Sequence, residues 1–490
     1  MTSLVEIDGE LPAGLLIGDA WVHDTTAGVL AHVNPATGTV QQEFAVAGPT
    51  EVNAAVTAAM AAFTDWRKWS AAEREAVLRN LARLLREHGA DFGIIGARES
   101  GIPLTTANYL APVTADWIDY YAGWIDKNTG QTIPAVGAFD YTRPEPIGVA
   151  AVLLTWNSSS AAFGASVGAA LAAGCSVVVK PAELAPFSGS LFGRLCLEAG
   201  LPAGVVNIVP GGRQAGEALV RHPGIAKISF TGGVETAKAI QATAAESLTP
   251  LLLELGGKSA NIVFADADID VASSVVVGGL AALNGQTCIA PTRLLVQESS
   301  YAAMLDAVKD KVGQLKLGSP FDADTAMGPI ISEGAVNRIV DFVDRAKSDR
   351  SGTLVTGGDR LTEGMGGGFF VSPAVFADVD NNSNLARQEI FGPVLSAFLF
   401  RTEAEAIELA NSTSFGLSAY VQTRDLERAH HVAHELDAGT VWVNAPGAPF
   451  PGAPFGGFKS SGYGKQGGKA GLDEFTRIKN VNITLRSESL

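Results

Sequence analysis

Apolar residues first recur at spacings of three and four over Val52–Phe63 and again over Ala71–His88, with charged residues between them. That period predicts two surface-packed helices. From Ile147 to Val179 the pattern changes, and no charged residue occurs in 33 positions. A membrane span needs roughly 20 apolar residues, but the punctuation here argues for a buried fold. The β-rich run Gly148–Thr155 is followed by polar Asn157-Ser158-Ser159-Ser160 and then by a small-residue helical run, Ala161–Ala173. Gly174 stops that helix, and Cys175–Val179 reads as a second strand. Strands covered on both faces carry no charge without any lipid.

Short apolar runs then alternate with helical segments. Val205–Val209, Ala226–Phe230, Leu251–Leu255 and Ala260–Phe264 read as strands, so the pattern predicts a doubly wound parallel sheet. A second α/β block follows, with strands at Arg293–Gln297, Val394–Phe400 and Thr440–Asn444 and helices over Tyr301–Val312 and Gly334–Lys347. Thr129–Pro134 and Phe139–Pro144 read as a projecting hairpin, and Asn480–Leu485 as an edge strand. Such exposed edges suggest an interface between copies of the chain, or pairing with each other.

At 490 residues the chain has room for roughly three domains of 100–200 residues. Hydrophobic residues at 47% against 18% charged exclude intrinsic disorder. A net charge of -16 disfavours nucleic acid and anionic membrane surfaces as partners. The three cysteines, Cys175, Cys196 and Cys288, show no CxxC spacing, which argues against a disulfide framework or a thiolate metal site. The first ten residues lack the basic start and apolar run of a secretory signal, so a cytoplasmic protein is expected.

Three motifs are decoys. Gly462-Tyr463-Gly464-Lys465-Gln466-Gly467 spells GxGxxG but follows a loop rather than a strand. Gly256-Gly257-Lys258-Ser259 resembles the end of a phosphate loop whose first glycine is Leu252. His430 and His434 stand one helical turn apart, without the Glu or third ligand of a zinc site, so no metal is expected.

Four other segments combine strand ends with chemistry: Thr155-Trp156-Asn157, Lys180-Pro181-Ala182-Glu183, Phe230-Thr231-Gly232-Gly233 and Leu253-Glu254-Leu255-Gly256-Gly257. In open α/β sheets, ligands sit beyond the carboxyl ends of the strands. A helix starting near Val234, behind Gly232-Gly233, offers unpaired N–H groups and a positive dipole end to a pyrophosphate. Lys180 and Glu183 stand where a cofactor ribose would be read. A carboxylate accepts from a 2′-hydroxyl and repels a 2′-phosphate, which predicts NAD over NADP. In Asn284-Gly285-Gln286-Thr287-Cys288, a cysteine lies at the end of a helical run in an exposed, constrained context and reads as a nucleophile. Cys175 and Cys196, in apolar patterns, read as packing.

Together with Glu389-Ile390-Phe391-Gly392-Pro393 and Pro454–Gly462, these segments resemble the aldehyde dehydrogenase superfamily in the family's own order, over nearly the whole chain. The resemblance implies an α/β fold with a Rossmann-type NAD-binding domain (1–128 and 147–255), a second α/β catalytic domain (256–470) and oligomerisation segments (129–146 and 471–490). It implies an aldehyde substrate, a homodimer or homotetramer, and no metal. Cys288 would attack the aldehyde, Asn157 would hold the oxyanion, and Glu254 would be the general base. Thr155, Trp156, Lys180, Glu183, Gly212 and Gly233 would bind NAD, with Glu389 and Phe391 near the nicotinamide. A carboxylate at Glu254 favours hydrolysis to a free acid over transfer to coenzyme A. A semialdehyde dehydrogenase, a CoA-acylating aldehyde dehydrogenase, or a catalytically silent binding protein on the same scaffold is the alternative.

The sequence departs from that pattern in three places. Gly233 and Ala237 replace a hydroxyl residue and a glycine in the helix-turn motif, and Gln466 stands where many relatives have Glu. Ser158, Ala161, Ala162 and Ala165 occupy positions that often carry large walls. With Ala281, Ala282, Thr287 and the loop Gly447-Ala448-Pro449, they predict a wide mouth without Lys or Arg, suited to a bulky neutral aldehyde, aromatic or terpenoid. Phe163, Phe450 and Phe455 are the residues that could narrow it.

Overall fold

The uncharged stretch folds as strand, helix and strand in the computed structural model, which describes residues 4–484. β1 (Val149–Leu153), α1 (Ala162–Ala173) and β2 (Ser176–Lys180) follow one another, and every residue of both strands is buried. Along β1, Val149, Ala151 and Leu153 enter one hydrophobic core, while Ala150 and Val152 enter another on the opposite face. A strand with two apolar faces has no place for a charge. Gly174 ends α1 with a left-handed φ of 91°, as a C-terminal glycine does.

α2 (Phe187–Glu198), β3 (Val206–Ile208), α3 (Arg213–Arg221), β4 (Lys227–Thr231), α4 (Val234–Ala245) and β5 (Leu251–Glu254) complete the pattern. The five strands are parallel in the order β3-β2-β1-β4-β5. After moving outward from β1 to β3 the chain crosses back to β4, so the order reverses beside β1, where such sheets open a crevice. Antiparallel additions close both edges: Leu15–Ile17 lies beside β3, and Gly462–Tyr463 beside β5.

β6 (Ala260–Val263), α5 (Ile269–Ala281), β7 (Arg293–Gln297), β8 (Ala374–Ala377), β9 (Val394–Phe400), β10 (Ser418–Gln422) and β11 (Thr440–Val443) belong to a second unit. Its parallel strands run β8-β9-β7-β6-β10-β11, with Thr353–Thr356 antiparallel on the outer edge. β8 and β10 were not legible as strands in the sequence. Only five residues, 255–259, join β5 of the first sheet to β6 of the second.

The hairpin is formed by Thr132–Ile133 and Ala138–Pro146, and the C-terminal strand Thr476–Thr484 pairs antiparallel with Ala138–Pro146 along nine residues. Of the two expectations for these segments, pairing with each other is realised within one chain. Leu485, the last residue of the expected edge strand, lies outside the described residues. Ile133, Phe139, Ile478 and Ile483 stay exposed on this small sheet. Among the described residues, no helix is long and apolar enough to cross a membrane.

Candidate active site

α5 runs into a tight turn, Ala282–Gly285, in which Leu283 (φ 47°) and Asn284 (φ 60°) are left-handed. Side chains rarely tolerate that region, Asn among the best. Asn284 is buried, and its amide fixes the turn by donating to the carbonyls of Gly101 and Pro329 (both 2.9 Å) and accepting from Gly328 N–H (2.7 Å). Gln286 accepts from Ile331 N–H (3.0 Å), and the Tyr420 hydroxyl donates to the Ile289 carbonyl (2.9 Å). Cys288 is thus presented by a backbone held on both sides.

The Cys288 residue keeps partial exposure. Burial of its thiol, with the Glu389 and Glu254 carboxyls facing it, pushes its pKa up to about 12, while the N–H groups of Cys288 and Ile289 pull the other way. Cys175 and Cys196 are fully buried and serve as packing, as their sequence context indicated.

Asn157 stands just past β1, 8% exposed, and its amide donates to the Gln286 carbonyl (2.8 Å). Glu254 ends β5 at 5% exposure, and among the described residues neither carboxylate oxygen accepts a hydrogen bond. Burial raises its pKa well above the usual carboxylate range; Lys465 opposes this and Glu474 adds to it.

Gly256 and Gly257 bring these groups together. A Cβ on Gly257 would sit 2.3 Å from the Cys288 carbonyl oxygen, and one on Gly256 inside the Glu389 carboxylate. Glu389 accepts from Gly257 N–H (3.0 Å). Two bare glycines therefore let the end of the first sheet touch the cysteine loop and Glu389 of the second unit. Phe391 adopts a left-handed φ of 53° and packs its ring edge-on against Trp156, with centroids 5.4 Å apart.

A groove beside β1 and β4 is lined by Leu153, Lys180, Glu183, Gly212, Arg213 and Phe230, among others. Gly212 and Gly233 are the residues that open α3 and α4, and a Cβ on either would meet nothing within 4 Å. Lys180 is buried, donates to the Pro181 carbonyl (3.0 Å) and lies 3.8 Å from the exposed carboxylate of Glu183. Thr155 and Trp156 are half-buried between β1 and Asn157. The Glu183 carboxylate, a buried ammonium and two open helix N-termini suit an extended molecule with a ribose and a pyrophosphate.

A second cavity, about 480 Å³, opens next to the cysteine loop. Leu110, Ala282, Thr287, Tyr420 and Pro449 are among its walls, and no charged side chain lines it. Ser158, Ala161, Ala162 and Ala165 are half-buried around the start of α1 and stand outside that lining. Phe163 is buried and stacked on Phe192 (4.4 Å), so it does not narrow the cavity. Phe455 is buried, its backbone paired with Gln466, and Phe450 is exposed. Among the described residues, no group of three or more His, Cys, Asp or Glu could hold a metal ion.

Asn284, Tyr420 and Lys465 escaped the sequence reading as parts of this site. Asn284 and Lys465 lie inside the cysteine and glycine-rich motifs, but nothing local marks them apart from their neighbours.

A family profile described as "Aldehyde dehydrogenase family" matches residues 21–481. DhaS of Bacillus subtilis (strain 168), which bears an aldehyde dehydrogenase name, is 39% identical over 476 residues, 96% of this chain and 95% of that protein. A betaine aldehyde dehydrogenase of Staphylococcus aureus, solved with NAD+, superposes with a TM-score of 0.95 at 33% identity, covering 98% of this chain and 96% of that one. An aldehyde dehydrogenase of Bacillus cereus, solved as a G224D mutant, gives the same TM-score at 37% identity, covering 98% of each chain.

Proposed function

Because this chain belongs to the aldehyde dehydrogenase family and is thus an NAD(P)-dependent aldehyde dehydrogenase, we propose that it oxidises a bulky neutral aldehyde to the free carboxylic acid, with NAD in preference to NADP. The observation that carries the hydrolytic reading is Glu254, a buried carboxyl without hydrogen-bond partners among the described residues, whose charge bears on the Cys288 thiol.

Cys288 attacks the aldehyde carbon, its thiol proton passing to a carboxylate base, because only the thiolate is nucleophilic. Glu254 is that base, and it gives the proton up to solvent before the acyl group is hydrolysed. The tetrahedral adduct carries an oxyanion, for which Asn157 has a second amide hydrogen and the cysteine loop has the Cys288 N–H. NAD, when bound, supplies a hydride acceptor. Lys180, Glu183, Gly212 and Gly233, with Thr155 and Trp156, would hold it in the groove, and Glu389 and Phe391 would flank its nicotinamide end. The acyl group left on Cys288 is then hydrolysed. Glu254 takes a proton from water, the water oxygen bonds to the acyl carbon, and the carbon–sulfur bond breaks to return the thiolate. Removing the side-chain donor in Asn157→Ala should lower kcat by about a hundredfold to a thousandfold with folding unchanged, measured as NADH formation at saturating aldehyde.

An uncharged cavity supports a neutral substrate, since a carboxylated semialdehyde would want a cation. A quaternary ammonium would want aromatic faces, and Tyr420 is the one aromatic residue in the lining. Benzaldehyde-like and citral-like substrates should therefore turn over with higher kcat/KM than succinate semialdehyde or betaine aldehyde, and faster with NAD than with NADP. A strong preference for succinate semialdehyde would sink the substrate reading. Added coenzyme A should leave the rate unchanged, because water is the proposed acyl acceptor.

The same reading assigns residues 1–128 and 147–255 to cofactor binding and 256–470 to catalysis. The segments 129–146 and 471–490 would join copies of the chain through the exposed apolar sheet.

A further inference from the structure

We propose that Lys465 is the positioning residue that keeps Glu254 ionised in its dry pocket, and so lets it act as a base near neutral pH. The proposal rests on the reading of Glu254 as the base. A buried carboxyl without hydrogen bonds favours its neutral form, and a neutral carboxylic acid cannot take a proton from water. Something must therefore restore its charge.

The charged and titratable groups that bear on Glu254 come from three directions. Cys288 faces it from the second unit. Glu474 and Lys465 come from the segment that follows its partner strand, Gly462–Tyr463. Tyr463 pairs with Leu253, the residue before Glu254, and is exposed. Of these groups only Lys465 is positive. Lys227, the other ammonium nearby, is already paired with Glu474 at 2.6 Å.

Lys465 is held in place for this task. Its Nζ donates to the Gly456 carbonyl (2.6 Å) and lies 4.9 Å from the centre of the Phe458 ring. A Cβ on Gly456 would fall 2.7 Å from Glu254 Oε1 and 3.1 Å from Lys465 Cδ, so a bare glycine backbone is all that separates the two side chains. They form no ion pair within 4 Å among the described residues. The carboxylate thus gains a favourable field while its lone pairs stay available for water. Burial lowers the Lys465 pKa and Glu254 raises it, as expected of a coupled pair.

The neighbouring Gln466 offers no substitute charge. Its amide donates to Ser166 Oγ (2.9 Å), which in turn pairs with Ser229 Oγ (2.9 Å), a neutral chain throughout.

The test is the pH profile of p-nitrophenyl acetate hydrolysis by the full-length protein, which follows turnover of an acyl group on Cys288. In Lys465→Met the acid limb should move up by about one pH unit, and Lys465→Arg should keep it near the parent position. That shift costs up to about tenfold in rate on the acid side of neutrality. An unmoved limb in Lys465→Met, or an equal displacement in Lys465→Arg, overturns the proposal. If Lys465→Met does not fold, Lys465→Gln carries the same expectation. Glu254→Gln separates the two ideas: if it still hydrolyses the ester at the parent rate, the base assignment itself is wrong. If it is inactive while Lys465→Met keeps the parent profile, only the role of Lys465 falls.

Discussion

Cys288→Ala should form no measurable NADH from any aldehyde, a loss on the order of 10⁴-fold or more, the scale on which removing a catalytic nucleophile acts. The size of the effect follows from chemistry rather than packing. A trigonal aldehyde carbon has no electron pair with which to expel a hydride; the thiolate adduct does, because its oxyanion can collapse to a thioester. Removing the sulfur removes that adduct, and nothing else in the described active site is placed to replace it. Alanine should fit without strain, since the loop is held by Asn284, Gln286 and the Ile289 carbonyl rather than by the thiol. Unchanged circular dichroism and an unchanged cofactor affinity should accompany the loss. Residual Cys288-independent NADH formation at more than a percent or so of the parent rate would show that the nucleophile lies elsewhere.

Glu254→Gln should cost about a hundredfold to ten-thousandfold in steady-state turnover, the usual contribution of a general base. It should also change which species accumulates. If the base serves water more than the thiol, acyl-enzyme builds up and mass spectrometry finds the acyl group on Cys288. Its effect on stability has the opposite sign. Because burial raises the Glu254 pKa, the unfolded chain ionises first as pH climbs above about 4.5, and the folded state loses stability from there up to its own higher pKa. Glutamine cannot ionise, so the variant should melt at a higher temperature than the parent near pH 8, and the gap should close toward pH 4.5. A variant that is less stable at pH 8 would mean that the carboxylate is paired in solution.

Candidates that rest on a rare residue in a local context could be picked out from the sequence. Cys288 stood out by its Gly, Gln, Thr and Pro neighbours, and the start of α4 was placed near Val234 because Gly232-Gly233 follow a strand. What escaped depends on partners far along the chain. β10 carries Ser418 and Gln422, which look wrong for a buried strand. Yet Ser418 Oγ pairs with Ser259 Oγ (2.8 Å), and Gln422 donates to Asn261 Oδ1 (3.3 Å) at the neighbouring β6. The polar letters satisfy one another across 159 and 161 positions. The uncharged cavity beside the cysteine loop differs from the expected mouth in part for the same reason. Leu110 and Tyr420 help to wall it from elements the sequence pattern did not reveal, whereas the small residues after Asn157 stand outside its lining. Lys465 sat within a run of glycines whose spelling pointed to the wrong use.

The joining of Thr476–Thr484 to Ala138–Pro146 and of Gly462–Tyr463 to β5 also bears on the order in which the protein can assemble during synthesis. When Val443 has been added, every strand of the second sheet exists, but the first sheet still lacks the strand that flanks Glu254. At roughly 5–20 residues per second, the nascent chain waits a few seconds more before Ala138–Pro146 can pair with Thr476–Thr484. During that wait Ala138–Pro146 is an unpaired edge, open to strands of other nascent chains. Truncation before Thr476 would make the exposure permanent, so the loss of that strand should be felt first as aggregation on the ribosome's timescale, and only afterwards as missing activity.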